Sequence, residues 1–342
     1  MEAAAASAPV SATVLSTQRW ESPWPIDCVD KPPLRPLRVA ARSQFDRRSL
    51  IHTRFRIPGL RDQLRGTSED RYAAHHTYMA ESFLDARGST ASEQLCINLD
   101  VSESAVLKSR RDLPLLRHFE SGRTWRDEVR CLSEARAVAG FDEGELELYS
   151  RSGVAAEYIL RPCFASEKLT PIGRARHLLY LGDRTWKPNY LALARLLKLW
   201  GALVERCPGA RLLVVGRGPL PPNSTQEGVR VLGYLDSVDQ VWDDTRALVA
   251  PITIGGGVRI KILEAASRGV PVVASPAGLG SIGSYLPIRP VAGDADFIAE
   301  CVKLLNDVPY AQHCSIELYE ANKQWWSERR FEGDVRRWLD LA

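Results

Sequence analysis

The residues that promise chemistry are concentrated in one run, Gly255-Gly256-Gly257-Val258-Arg259-Ile260-Lys261-Ile262-Leu263-Glu264-Ala265. Consecutive glycines let backbone N–H groups approach a phosphate without obstruction from Cβ atoms. A helix opening just after them adds the positive end of its dipole, and Arg259 and Lys261 put cationic groups in its first turn. Together these make a cradle for a diphosphate. Glu264, at i+3 from Lys261, falls on the helix face that looks at the loop, where a carboxylate can accept paired hydrogen bonds from a ribose diol. The alternative for the same letters is a plain strand–loop–helix turn, with Arg259 and Lys261 solvated and Glu264 paired to Lys261. Further loops argue for the cradle: Gly182-Asp183-Arg184-Thr185-Trp186-Lys187-Pro188-Asn189 and Gly216-Arg217-Gly218-Pro219 each follow an apolar run. Glycine-basic loops at the ends of parallel strands meet in one crevice, where open sheets bind ligands.

The elements that must position these loops follow from pattern. From His177 onward, short apolar runs rich in β-branched residues alternate with helical spacing, the mark of parallel strands joined by crossover helices. Strands are expected at 177–181, 211–215, 229–232, 247–252 and 271–275, with helices through 193–206, 259–267 and 294–306 and a helical turn at 238–244. Gly269 stops the helix after the glycine run. The first half is less regular. Residues 13–70 show no convincing period. Beyond them, 74–84 and 125–139 read as helices, and 94–99, 146–149 and 158–160 as strands. A linker is expected near 164–174, where Ser166, Pro171 and Gly173 interrupt the pattern. The end, 317–341, reads as a helix or helix pair packed on a folded body.

Length sets the frame: 342 residues exceed what one core usually serves, so two domains are expected. The net charge of +3 creates no strong overall field. Residues 1–12 read as a flexible tail without the features of a secretory signal, and no stretch reaches a membrane span. The seven cysteines are scattered without a CxxC pair, which argues for a reducing, cytoplasmic setting and against a disulfide framework or zinc site. Nine arginines between Arg35 and Arg65 make that segment strongly basic. With only Phe45 and Phe55 as aromatics among them, an anionic acceptor or a membrane headgroup suits it at least as well as nucleic acid, which is not expected as a partner.

The run from Tyr180 to Gly278 resembles the donor domain of family 4 glycosyltransferases, in the branch with a W-x-P-N loop and a GGG-[TV]-R-x-K-x-L-E-A motif. The matching pieces are LGDRTWKPN, ARLLVVGRGP, VRVLGYLDSV and ALVAPITIGGGVRIKILEAASRGVPVVASPAG; fainter matches are HHTYMAES, CINLDVSES and RRFEGDVRRWL. The resemblance implies an α/β fold of the GT-B type: two Rossmann-like domains facing a central cleft, the N-terminal one irregular or reduced. It places an acceptor-side domain at 13–165, a nucleotide-sugar-binding domain at 175–316, and a final helical piece, 317–342, crossing back to the first. The implied activity is transfer of a sugar from a nucleotide-diphosphate donor to a hydroxyl or amine of a glycan, lipid-linked or small-molecule acceptor, with retention and without metal or other cofactor. Peripheral membrane contact is compatible with it.

Residue by residue, Glu264 matches the second glutamate of the family's E-x7-E motif, which binds the donor ribose, and Gly256 stands where the first would be. Gly255, Gly256 and Gly257 would then contact the donor through backbone amides. Lys187 resembles the phosphate-binding lysine, with Arg259 or Lys261 as alternative carriers of that charge; Gly182 and Arg217 complete the donor loops, and Gly233 and Tyr234 frame the base. On the acceptor side, Asp100 stands at the end of a mid-domain strand where relatives carry histidine, with Glu103 a turn later; His75 and His76 are further candidates. Asp100 and Glu103 also suit a helix cap and capping box. The glycine-rich loop that opens the family's first domain is missing. That absence, with Gly256, leaves a second possibility: a nucleotide-binding subunit of weak activity.

Overall fold

The β-branched runs of the second half become a parallel sheet. In the computed structural model, which describes residues 2–5, 8–16, 25–109, 114–172 and 177–341, the chain divides into two compact units. One comprises residues up to Leu160 together with those from Phe331 onward; the other runs from Arg161 to Arg330.

The first unit contains α1 (Glu2–Ala5), β1 (Ala12–Ser16), β2 (Ile26–Asp30), α2 (Pro36–Asp46), α3 (Leu50–Phe55), α4 (Pro58–Arg65), β3 (Tyr72–His75), α5 (Glu81–Arg87), α6 (Ala91–Gln94), β4 (Leu95–Leu99), α7 (Glu103–Ser109), α8 (Pro114–Ser133), β5 (Ala137–Gly140), α9 (Glu143–Ser150) and β6 (Ala156–Ile159). Strands β3, β4, β5 and β6 lie side by side in that order, all parallel, while β1 and β2 pair apart from them. β4 and β5 are wholly buried, as central strands flanked on both faces must be. Phe83, Ile97, Leu132 and Tyr149 belong to one core cluster; Cys96, Ala139, Val335 and Trp338 belong to a second.

Several expectations change here. The 74–84 segment begins as a strand, because Tyr72–His75 pairs in register with Leu95–Asn98, and turns helical only at Thr77. The helix expected through Ala139 stops at Ser133, and Ala137–Gly140, small and apolar without a helical period, joins the sheet. Residues 146–149 are helical rather than extended: Asp142 caps Glu145 N–H at 3.2 Å, and Leu146 and Tyr149 face inward while Leu148 is exposed. The described residues of 13–70 hold three helices that no apolar period announces. Pro36 and Pro58 open two of them and Ser49 caps the third. Within the expected tail, Ala4 is buried in the second cluster.

The second unit contains β7 (His177–Leu181), α10 (Lys187–Arg206), β8 (Arg211–Val215), β9 (Val229–Gly233), α11 (Asp239–Trp242), β10 (Thr245–Ala250), α12 (Ile260–Ser267), β11 (Val272–Ala274), α13 (Pro276–Leu279), α14 (Asp294–Asn306) and α15 (Val308–Ser327). Its parallel sheet runs β11-β10-β7-β8-β9. Apolar clusters built on Trp200, Leu196 and Phe297, and on Trp242, Leu248 and Ile262, form its cores. Of the expected 164–174 linker, residues 164–172 belong to this unit; Gly173 and Arg174 lie outside the described residues. The closing stretch divides at its loop: α15 stays with the second unit, and α16 (Arg330–Leu339) lays Val335, Trp338 and Leu339 into the first.

Candidate functional site

The loops that follow β7, β8 and β10 close on one another because glycines permit it. A Cβ at Gly216, whose φ is +122°, would stand 2.1 Å from the Gly182 carbonyl oxygen, and one at Gly255 would meet the Trp186 ring at 3.0 Å. Arg184, 3% exposed, ties the first two loops together. Its guanidinium donates to the carbonyl oxygens of Gly216 (2.8 Å), Gly218 (3.1 Å) and Pro219 (3.1 Å). Nothing in the sequence marks Arg184 for this organising role, since it stands there as one letter of a basic loop. The β9 end joins too, since Gly216 N–H donates to Gly233 O at 2.7 Å; Tyr234 beside it is 67% exposed.

The basic residues take different positions from those expected of solvated charges. Arg259 precedes α12 and donates to the carbonyl oxygens of Gly257 and, at 3.1 Å, Ala277, so it braces the glycine loop from within. Lys261 turns beneath the loop. Its ammonium donates to Leu181 O at the end of β7 and to Asn189 Oδ1 at 3.1 Å, and burial pushes its pKa down to about 8. Arg217 is exposed and pairs with Asp183 at 2.6 Å. Bonds from Thr185 and Arg217 hold the Asp183 carboxyl down to about 2. Lys187 opens α10 with its ammonium 4.8 Å from the centre of the Tyr190 ring.

Glu264 points elsewhere than Lys261, and no ion pair joins them. Its carboxylate makes no hydrogen bond or ion pair among the described residues; burial raises its pKa, against the pull of Arg268. It lines a cavity of about 370 Å³ whose walls include Trp242, Val238, Asp236, Ser237, Asp239 and Arg268. None of the glycine-loop residues lines this cavity; what joins the two is α12, which begins after Gly257 and carries Glu264 into the cavity wall. The buried Trp242 indole N–H in the same wall also lacks a partner, and an uncommitted carboxylate here is available to a ligand's hydroxyls.

In the first unit, the C-terminal ends of β3 and β4 bring His76 and Asp100 together, with His76 Nε2 3.5 Å from Asp100 Oδ2. His76 is held at φ +66° by its N–H bond to Asn98 O (2.9 Å), and its ring stacks on Tyr78 at 4.8 Å. Burial lowers its pKa, opposed by Asp100. Asp100 does not cap the following helix: Ser102 does, through its hydroxyl to Ala105 N–H at 3.3 Å. His75 lies on the exposed side of its strand, Nδ1 3.2 Å from Asn98 Nδ2. Glu103 has its pKa pushed up to about 7 by burial, reinforced by Glu128, Asp100 and Glu145. Glu128, unnoticed in the sequence, is fully buried and satisfied by Ser104 N–H (3.2 Å) and Tyr149 OH (2.8 Å).

The same unit buries His52, Glu81 and Cys131 within 4.8 Å of one another. His52 Nδ1 lies 2.7 Å from Glu81 Oε1, while Arg130 reaches both Glu81 and, at 3.1 Å, Cys131 Sγ. The guanidinium already neutralises the carboxylate where a cation would have to sit, so the cluster is a structural charge network.

Residues 175–307 match the sequence profile of the family described as Glycosyl transferases group 1. No curated protein matches the chain by sequence. Among solved structures, sucrose-phosphate synthase from Thermosynechococcus elongatus superposes with a TM-score of 0.71 at 17% identity, covering 98% of this chain and 90% of that one. Anabaena HepE, in complex with UDP and glucose, gives 0.64 at 15% identity, covering 92% and 86%. The TarM G117R mutant of S. aureus, in complex with fondaparinux, alpha-GlcNAc-glycerol and UDP, gives 0.61 at 11% identity over 82% of this chain. The chain spans only 58% and 57% of the two TarM chains it matches. These likenesses establish the fold, which is GT-B: α/β units built on parallel sheets.

Proposed function

We propose that the protein is a glycosyltransferase that moves a sugar from a nucleotide-diphosphate donor to a hydroxyl or amine of a glycan, lipid-linked or small-molecule acceptor. The observation that carries the proposal is Glu264, uncommitted in its cavity on the helix that the glycine loop opens. In this reading Glu264 accepts the ribose hydroxyls, and the amides of Gly255–Gly257 with the α12 dipole receive the diphosphate. Lys187 adds charge at the α10 N-terminus. Arg259 and Lys261 hold the loop in shape rather than meeting the phosphate themselves. No metal is needed, because backbone amides and basic side chains offset the leaving charge. The bond from the anomeric carbon to the diphosphate oxygen breaks, the acceptor atom bonds to that carbon with retention, and the acceptor proton passes to His76 or Asp100. His76, neutral near pH 7, is suited to take it, with Asp100 stabilising the imidazolium. His75 and Glu103 contribute to the acceptor side.

A thermal-shift screen with UDP, GDP, dTDP, ADP and CDP tests the donor site. UDP comes first, because HepE and TarM hold it. The matching diphosphate, at about a hundred times its Kd, adds about 2.7 kcal/mol of stability; no response to any of them overturns the reading. A second reading, a nucleotide-binding subunit with little turnover, is favoured by the missing carboxylate at Gly256. Asp100→Asn separates the two. A transferase loses turnover about a hundredfold while keeping donor affinity; wild-type protein that binds donor without hydrolysing or transferring it supports the subunit.

A further inference from the structure

Helix α2 is built inside out. Its inward residues are Val39, Ser43 and Asp46, spaced by four and three, and Ser43 is fully buried. Its outward stripe is apolar. Leu37 is 87% exposed and Phe45 88%, with exposed Ala41 between them at helical spacing and Leu34, 65% exposed, one turn before. Arg35, Arg38 and Arg42 line one flank of this stripe, and Arg47 lies on the other side. The inward face is held by polar bonds instead of apolar packing: Arg123 donates to Ser43 O at 2.7 Å, and Arg56 pairs with Asp46 at 2.7 Å.

We propose that α2 docks the protein on an anionic membrane surface, lying in the plane of the interface. Leu37, Ala41, Phe45 and Leu34 would enter the boundary of the acyl chains, and Arg35, Arg38 and Arg42 would reach the phosphates. An apolar stripe with guanidinium groups along its edge is the distribution that a charged headgroup layer over hydrocarbon rewards. Charge selects this occupant. A second copy would bring the same arginines against each other, and nucleic acid leaves the leucines and phenylalanine unexplained. The proposal stands independently of the glycosyl-transfer reading.

The test is cosedimentation of the full chain with phosphatidylcholine vesicles, with and without phosphatidylglycerol. Wild type is expected to bind only the anionic vesicles. Combining Leu37→Ser with Phe45→Ser should reduce partitioning by about a hundredfold, and each of Arg38→Gln and Arg42→Gln by about fivefold. Ala41→Glu, which keeps a good helix former and puts a carboxylate on the stripe, should abolish binding with the melting temperature unchanged. The proposal is overturned if wild type ignores anionic vesicles, or if the apolar variants bind as wild type does. It is equally overturned if light scattering shows a dimer that Ala41→Glu splits, since the stripe would then belong to a second copy.

Discussion

At the scale of single residues, Lys261 and Glu264 show how one helix divides two tasks. They sit three apart on α12, yet Lys261 bonds to Leu181 O and Asn189, and Glu264 enters the cavity. Glu264→Ala should weaken binding of the matching nucleoside diphosphate by roughly 1.5–3 kcal/mol for each charge-assisted bond lost, read by calorimetry; unchanged affinity removes the ribose from this place. Lys261 has a pH signature. Its pKa falls from 10.5 to about 8 on folding, so between those values the unfolded chain binds more protons and stability rises with pH. Below about pH 8 the amine is protonated in both states and this contribution is flat. Denaturant unfolding across that window should show the rise in the wild type and its loss in Lys261→Met. The sequence made these residues conspicuous but not their direction. Periodicity put Glu264 on the loop side, while the choice between facing Lys261 and facing a cavity rests on Leu181 and Asn189, which compete for the ammonium.

At the scale of elements, the legible parts were those whose apolar period matched their final setting. Strands β7, β8 and β10 are read from their apolar runs, and helix α10 from Leu193 onward by the Leu193–Leu196–Trp200 spacing, because each packs by hydrophobic contact; the helix's first residues, from Lys187, read as loop in the sequence. The first unit misled where polar bonds did the packing. Helices α2 and α3 attach through Arg56, Asp85, Ser49 and Asp127, which leave no period. The 146–149 segment alternated like a strand until Asp142 capped it as a helix. Arg184 is the element-scale residue that the sequence hid. Arg184→Ala should cost about 2–4 kcal/mol in urea unfolding, because it strips donors from the carbonyls of Gly216, Gly218 and Pro219. Donor affinity should fall with it as the loops lose their fixed spacing. A variant that unfolds like wild type would show that the glycines alone hold the loops.

At the scale of the molecule, each unit owns its sheet and its cores, and no helix among the described residues is long and apolar enough to cross a membrane. The return of the chain after Arg330 has a consequence in time. Val335, Trp338 and Leu339 complete a core whose other members, Cys96, Ala137 and Leu160, are synthesised far earlier. A ribosome adding about 5–20 residues per second needs roughly 10–35 s to travel from Arg161 to Arg330. During that interval the first unit waits with one apolar side of its sheet uncovered, and the second, continuous in sequence, can already close. The first unit, begun before the second, therefore closes after it, and the nascent chain's exposure to chaperones and proteases over this span is set by α16.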